Sequence, residues 1–261
     1  MNPKVVIFCG GLGTRLREET EFKPKPMVEI GSKPILWHIM KIYNHYGCSD
    51  FVLCLGYKGE VIKDYFLNYE FLNSDLTIKL GNKKATILHN TSNHDDWSVT
   101  MADTGDKALK GARLKRIQKY ITEDVFMLTY GDGVANVNIQ KLLAFHNKHG
   151  KIGTVTGVRP PSLFGELVLE GDRALQFSEK PQTSAGLING GFFVFNRKIF
   201  DYLSDDDNCD FERGPLEALT AAGELMVYVH DGLWACMDTY RDVEYLTRLW
   251  QNNQAFWKVW E

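Results

Sequence analysis

The sequence predicts an α/β fold: a mixed, mostly parallel central sheet flanked by helices, with small β-ribbon insertions. Three observations carry this. Short apolar runs that end in glycine alternate with segments apolar at helical spacing. The runs are continuous rather than alternating, as in strands buried on both faces. Between about 75 and 102 shorter strand-like pieces interrupt the alternation.

Taken in order, 4-KVVIFC is the first buried strand and ends in Gly10-Gly11. In 34-PILWHIMKIYNHYG, Pro34 suits a first helical position, Ile35, Ile39, Ile42 and Tyr46 share a face, and Gly47 closes the helix. The run 51-FVLCLG is a strand, and 60-EVIKDYFLNYEFL a helix through Ile62, Phe66 and Tyr69. The segments 76-LTIKL, 85-ATILH and 98-SVTMA read as smaller strands or ribbons. A basic helix near 106–121, the strand 125-VFMLTYG and a helix near 138–149 follow. Strands at 152-IGTVTGV, 166-ELVLE and 190-GGFFVF, then helices near 214–222 and 240–251, complete the pattern. Crossovers between the parallel strands should be right-handed.

The chain has 261 residues, enough for one large domain with insertions. A hydrophobic share of 44% with 24% charged residues is ordinary for a soluble globular protein. The net charge of -3 argues against nucleic acid and anionic membranes as partners. Five cysteines, none spaced C-x-x-C, favour reduced thiols. The first apolar run is too short for a signal-peptide core, and no run reaches the ~18 apolar residues of a membrane helix. The expectation is a cytoplasmic protein.

The stretch 10-GGLGTRLREETEFKPKPM-27 bears the most chemistry. A glycine loop after a buried strand can aim backbone N–H groups at an anion. Arg15 adds a fork of donors suited to phosphate, and Lys25 a second charge, held in an extended segment by Pro24 and Pro26. A plain tight turn with solvated charges explains the stretch alone equally well. The G-x-x-x-x-G-K-[ST] loop is absent, and G-x-G-x-x-G fails at Leu16, which disfavours a dinucleotide oxidoreductase.

Asp132 in 131-GDG-133 follows a buried strand, so it projects to the same sheet edge as the loop. A carboxylate beside phosphates is a natural Mg²⁺ ligand, although an Asp-Gly turn is the simpler reading. Asp238, in 234-WACMDT-239, is a second candidate that helix capping would also explain, with Thr239 sharing that job. In 179-EKP-181, Glu179 suits sugar hydroxyls and Lys180 a phosphate, or the two form a surface ion pair. Asn189 opens a strand with two glycines. In 113-RLKRIQK, Leu114, Ile117 and Ile121 share one face, leaving most of its charges to solvent, while Thr104-Gly105 before it can meet a base edge. The pair His146 and His149 lacks a third metal ligand, and the aromatic tail 255-AFWKVWE is expected to pack on the body or on a neighbouring subunit.

GGLGTRL, KPKPM, TYGDG, EKP and NGGFFVF, in that order across nearly the whole chain, resemble the sugar-1-phosphate nucleotidylyltransferases. The stretches 23-KPKPMVEIG, 103-DTGD, 129-TYGDGVA and 237-MDTYRD are similar to its cytidylyl branch; thymidylyl members usually carry K-Q-L and G-D-N instead. The resemblance implies a Rossmann-like fold, with a nucleotide-binding part roughly 1–135 and a sugar-phosphate-binding part roughly 136–261. It implies CTP and glucose 1-phosphate as substrates, Mg²⁺ as cofactor, a homo-oligomer (a hexamer), and a product used for deoxysugars of surface polysaccharide, the O-antigen. By the same resemblance Gly10, Gly11, Leu12, Gly13, Thr14, Arg15, Lys25, Thr104, Gly105, Arg113 and Gly131 bind the nucleotide. Tyr130, Glu179, Lys180 and Asn189 hold the sugar phosphate, and Asp132 and Asp238 the metal. Arg15, Lys25 and Asp132 would be catalytic. Cys9 departs from the family's usual alanine, which suggests a similar pocket with a reactive thiol. A transferase for another base or sugar, and a sugar-nucleotide-binding regulator without turnover, stay open as alternatives.

Overall fold

The computed structural model describes residues 3–81, 85–89, 95–160, 166–170, 172–178 and 186–261. Eight strands form its main sheet: β1 (Val5–Phe8), β2 (Asp50–Leu55), β3 (Ser98–Asp103), β4 (Val125–Tyr130), β5 (Gly153–Val158), β6 (Ile188–Asn189), β7 (Phe193–Asn196) and β8 (Leu225–His230). Strands β4, β1, β2 and β3 lie side by side and parallel. Strand β7 then pairs antiparallel with β4, and β5 antiparallel with β7 and β6. Strand β8 pairs parallel with β5.

Of the three segments read as smaller strands or ribbons, one is an integral strand of the main sheet. The 98-SVTMA run pairs parallel with β2 over six residues, from Asp50 opposite Ser98 to Leu55 opposite Asp103. Its mixed burial is that of an edge strand, not of an insertion. Strand β8 was not foreseen, although 225-LMVYV is a continuous apolar run; most of its residues are exposed or half-buried, as befits a strand at a sheet edge. Asp75–Lys79 and Ala85–His89 form an antiparallel ribbon as expected, whereas 166-ELVLE, read as a strand of the main pattern, instead pairs with Arg173–Ser178 in a second, separate antiparallel ribbon.

Six principal helices flank the sheet: α1 (Ile35–His45), α2 (Gly59–Leu67), α3 (Lys110–Arg116), α4 (Ile139–His149), α5 (Glu217–Ala221) and α6 (Tyr240–Gln251). Pro34 occupies the N-cap position of α1, one residue before the first helical position expected for it, and makes no capping hydrogen bond. Helix α4 starts where the Asn138 side chain accepts from Lys141 N at 2.9 Å, and ends at Gly150 with φ 64°. Helix α3 is shorter than its apolar pattern predicts. The chain before it is drawn out by a neighbouring segment: Leu109 N donates to Asp207 O at 2.8 Å and Gly111 N to Cys209 O at 2.9 Å.

The continuous apolar strands are buried on both sides, as their composition requires. Val5 and Ile7 face a core with Ile35, Ile39 and Phe192, while Val6 and Phe8 face one with Leu114, Ile117 and Phe126. The C-terminal tail closes the first core through the fully buried Trp257, whose Nε1 donates to His38 Nδ1 at 3.3 Å.

Candidate active site

Strands β1 and β4 are parallel neighbours, with Phe8 opposite Tyr130. Both therefore leave the sheet at one edge, β1 into the glycine loop and β4 into Gly131-Asp132. A cavity of about 730 Å³ opens there. Gly10, Gly11, Gly13, Thr14, Arg15 and Lys25 line it from the first loop, and Tyr130, Gly131 and Asp132 from the second. Gly13 has φ 61°, and a Cβ there would sit 2.8 Å from Thr20 Cγ2, so glycine is required for this turn.

Asp238 reaches the same cavity by a route that spans more than 100 positions of sequence. The segment Trp234–Cys236 pairs antiparallel with Gly133–Ala135, Cys236 lying opposite Gly133. Met237 N then donates to Asp132 O at 2.8 Å, which sets Asp238 beside Asp132. Capping of α6 falls instead to Thr239, in a reciprocal box with Asp242. The Asp238 carboxylate is thereby left for the cavity.

Four charged groups form one chain. Lys25 Nζ donates to Asp132 Oδ2 and to Asp238 Oδ1, each at 2.6 Å. Arg15 Nη1 donates to Asp238 Oδ2 at 2.9 Å. Lys25 is not in an extended segment as expected: Lys25–Met27 is a 3₁₀ turn, closed by Met27 N to Pro24 O at 2.8 Å and Val28 N to Lys25 O at 3.0 Å. The fixed proline φ suits either conformation, and these two hydrogen bonds select the turn. Burial works against the Lys25 charge, but the charge of Asp132 and the hydrogen bonds to both carboxylates hold its pKa above the ordinary value. Burial likewise opposes ionisation of Asp238, and the contacts with Lys25 and Arg15 overcome it and lower its pKa. The carboxylates of Asp132 and Asp238 and the Cys236 sulfur lie within 4.8 Å of one another. Burial first, and then Asp132, push the Cys236 thiol far up, so it is a neutral group between two hard oxygen donors.

Arg113 is an exception among the charges of its helix, most of which were expected to face solvent. It is 4% exposed. Its guanidinium donates to Leu55 O, Thr104 Oγ1 and Gly10 O, each at 2.9 Å, and to Asp106 O at 3.3 Å. It clamps the glycine loop from behind; a Cβ on Gly10 would lie 2.2 Å from Nη1. Arg113 also lines the cavity, whereas Leu12, Thr104 and Gly105 do not. Leu12 is exposed, and Thr104 is buried where it supports Arg113.

At another wall Tyr130 Oη donates to Glu212 Oε1 at 2.8 Å and accepts from Asn189 Nδ2 at 2.9 Å. Glu179 and Lys180 lie outside the described residues. Lys110, Glu212 and Trp234 line the cavity and escaped the sequence reading. The apolar pattern near 106–121 gave Lys110 no mark apart from its solvated neighbours, and no motif surrounds Glu212. The expectation of a reactive Cys9 fails: the thiol is 1% exposed, and burial, then Cys54, raise its pKa well above the ordinary value.

A family model described as "Nucleotidyl transferase" matches residues 4–256. The chain belongs to that family. This nucleotidyl transferase is 49% identical over 259 residues to the glucose-1-phosphate cytidylyltransferase of Salmonella typhi, a match covering 99% of this chain and 100% of the relative. The protein of the same name from Salmonella typhimurium matches equally, at 49% over 99% and 100%. The crystal structure of HddC from Yersinia pseudotuberculosis superposes with a TM-score of 0.66 at 22% identity, over 95% of this chain and 100% of that one. That likeness speaks for the nucleotidyl transferase fold alone.

Proposed function

We propose that this nucleotidyl transferase moves CMP from CTP to α-D-glucose 1-phosphate, giving CDP-glucose and pyrophosphate. The observation that carries the reading is the convergence of Arg15, Lys25, Asp132 and Asp238 at one cavity, a failure of which would have scattered the mechanism. The near-full-length likeness to two glucose-1-phosphate cytidylyltransferases supports the choice of substrates.

A phosphate oxygen of the sugar phosphate attacks the α-phosphorus of CTP. The bond to the β-phosphate bridge breaks, and pyrophosphate leaves with that electron pair. The nucleophile is already an anion near neutral pH, so no general base and no covalent enzyme intermediate are needed. The obstacle is repulsion between two polyanions, which positioning and charge neutralisation remove. Arg15 and Lys25 bring two cations to the cavity, and the amide-rich glycine loop, braced by Arg113, cradles phosphate oxygens. Asp132 and Asp238 are the hard oxygen donors that Mg²⁺ takes when phosphates complete its shell, and the neutral Cys236 thiol does not compete for it. Bound there, Mg²⁺ would neutralise phosphate charge and polarise the phosphoryl oxygens. Tyr130 and Asn189 sit at the sugar-phosphate end. One domain carries both halves, nucleotide-binding roughly 1–135 and sugar-phosphate-binding roughly 136–261. By family likeness we place the enzyme in the cytoplasm as a homo-oligomer, a hexamer, supplying deoxysugar and O-antigen synthesis. No helix among the described residues is long and apolar enough to cross a membrane.

The test is a panel. Purified protein, glucose 1-phosphate and Mg²⁺ are mixed with CTP, UTP, dTTP, ATP or GTP, and pyrophosphate release is followed. Release with CTP is expected. Release only with another nucleotide moves the base assignment, and silence in every well favours a binding protein without turnover.

A further inference from the structure

We infer that Glu212, braced by Lys110 and Tyr130, takes a ring hydroxyl of a bound substrate and so sets sugar specificity. The inference rests on the proposed reading that the cavity holds a ribonucleotide and a hexose phosphate together. Glu212 opens the kinked turn Glu212–Leu216, in which Arg213, at φ −86° and ψ 17°, departs from helical geometry ahead of Pro215. The residue before it, Phe211, is fully buried against Phe8, Phe193 and Phe195, so the turn is anchored in the core. The Glu212 carboxylate lines the cavity all the same.

Its partners define what it can bind. Asn189 Nδ2 donates to Tyr130 Oη, which commits the single Tyr130 proton to Glu212. Lys110 Nζ forms an ion pair with Glu212 Oε1 and stands 5.0 Å above the Tyr130 ring. An uncompensated carboxylate in a cavity for polyanions would repel them; Lys110 offsets the charge of Glu212, and Arg213 lines the same cavity with Asp210. The neutralised pair offers a phosphate little, and phosphates have the Arg15–Lys25 cluster. A carboxylate has about four acceptor positions, and Tyr130 and Lys110 both donate to Oε1. The remaining capacity suits a neutral donor, and a sugar hydroxyl is the donor both substrates bring. Ribose and hexose are the two sources of that chemistry.

The experiment compares the wild type with Glu212→Gln and Glu212→Ala on paired substrates. CTP is set against 2′-deoxy- and 3′-deoxy-CTP, and glucose 1-phosphate against its 2-, 3-, 4- and 6-deoxy forms. The wild type should prefer one hydroxylated partner over one deoxy analogue by roughly 10- to 100-fold, the worth of a hydrogen bond to a charged group. Glu212→Ala should abolish that one preference by raising KM for the natural partner, leaving the other pairs unchanged. Glu212→Gln, which keeps an acceptor and the side-chain shape, should retain part of it. Loss in the CTP pair assigns the ribose, and loss in the glucose 1-phosphate set assigns the hexose. A uniform fall across every analogue, or no change in any ratio, overturns the inference while the wild-type activity stands. A wild type silent with CTP and glucose 1-phosphate overturns the functional reading and this inference with it.

Discussion

Replacing Lys25 by methionine should cut turnover by orders of magnitude and at the same time tighten Mg²⁺ binding to the free enzyme. The Lys25 ammonium stands between Asp132 and Asp238, at 2.6 Å from each. It neutralises the pair that a divalent ion would otherwise neutralise. Without it, two carboxylates whose oxygens lie within 4.8 Å of each other repel by about 3.5 kcal/mol at an effective dielectric of 20. Their side chains are 27% and 36% exposed, so screening cuts this to roughly 1–1.5 kcal/mol. Binding of Mg²⁺ relieves that repulsion, which amounts to about tenfold in affinity. Isothermal titration with MgCl₂ in the absence of nucleotide reads it directly, and pyrophosphate release should fall by about 10²-fold or more. Unchanged or weaker Mg²⁺ binding by Lys25→Met would refute the claim that this ammonium and the metal compete for the same carboxylates.

Asp132→Asn removes a carboxylate from the cluster and should lower kcat by roughly 10²- to 10³-fold while weakening the Mg²⁺ dependence; normal turnover would remove Asp132 from the mechanism. Gly10→Ala drives a Cβ to 2.2 Å from a guanidinium fixed by four hydrogen bonds. It should cost about 1–3 kcal/mol in thermal or urea unfolding, and an unchanged midpoint would show that Arg113 yields freely. His38 accepts from Trp257 and contacts Ile30 O, and burial, with Lys33 adding to it, lowers its pKa from 6.5 to about 4. The unfolded chain thus binds a proton there that the native state refuses. Stability is complete above pH 6.5 and falls on acidification, by about 1.4 kcal/mol per unit, until about pH 4. His146, also lowered to about 4, acts in the same window, so the difference between wild type and His38→Gln isolates His38, and parallel pH profiles would contradict its assignment.

The architecture was legible because strands buried on both faces must be continuously apolar, and β1, β2 and β4 are. The ends of α4 were legible because their capping, by Asn138 and Gly150, is local in the sequence. What depended on distant pairing was not. The 98-SVTMA strand shows its place only through its partner β2, and α3 begins late because Asp207 and Cys209 hold its leading residues. In the site, Arg15, Lys25 and Asp132 announce themselves next to glycine and proline. Asp238 depends on a ribbon pairing with Gly133–Ala135 that no local pattern encodes. Glu212 and Lys110 meet only across 102 positions. Arg113 was placed at the nucleotide by resemblance, but its burial was not legible, because the partners that draw it inward, the carbonyls of Gly10 and Leu55, lie on distant segments.

The central claim is that Lys25 and Asp238 act as parts of one electrostatic unit. A double-mutant cycle on kcat/KM with Lys25→Met, Asp238→Asn and the pair tests it most directly. The account predicts strong non-additivity: the double variant should be no worse than the poorer single variant, within about threefold. Losses that multiply across the two substitutions would mean that the residues work independently, and would contradict it.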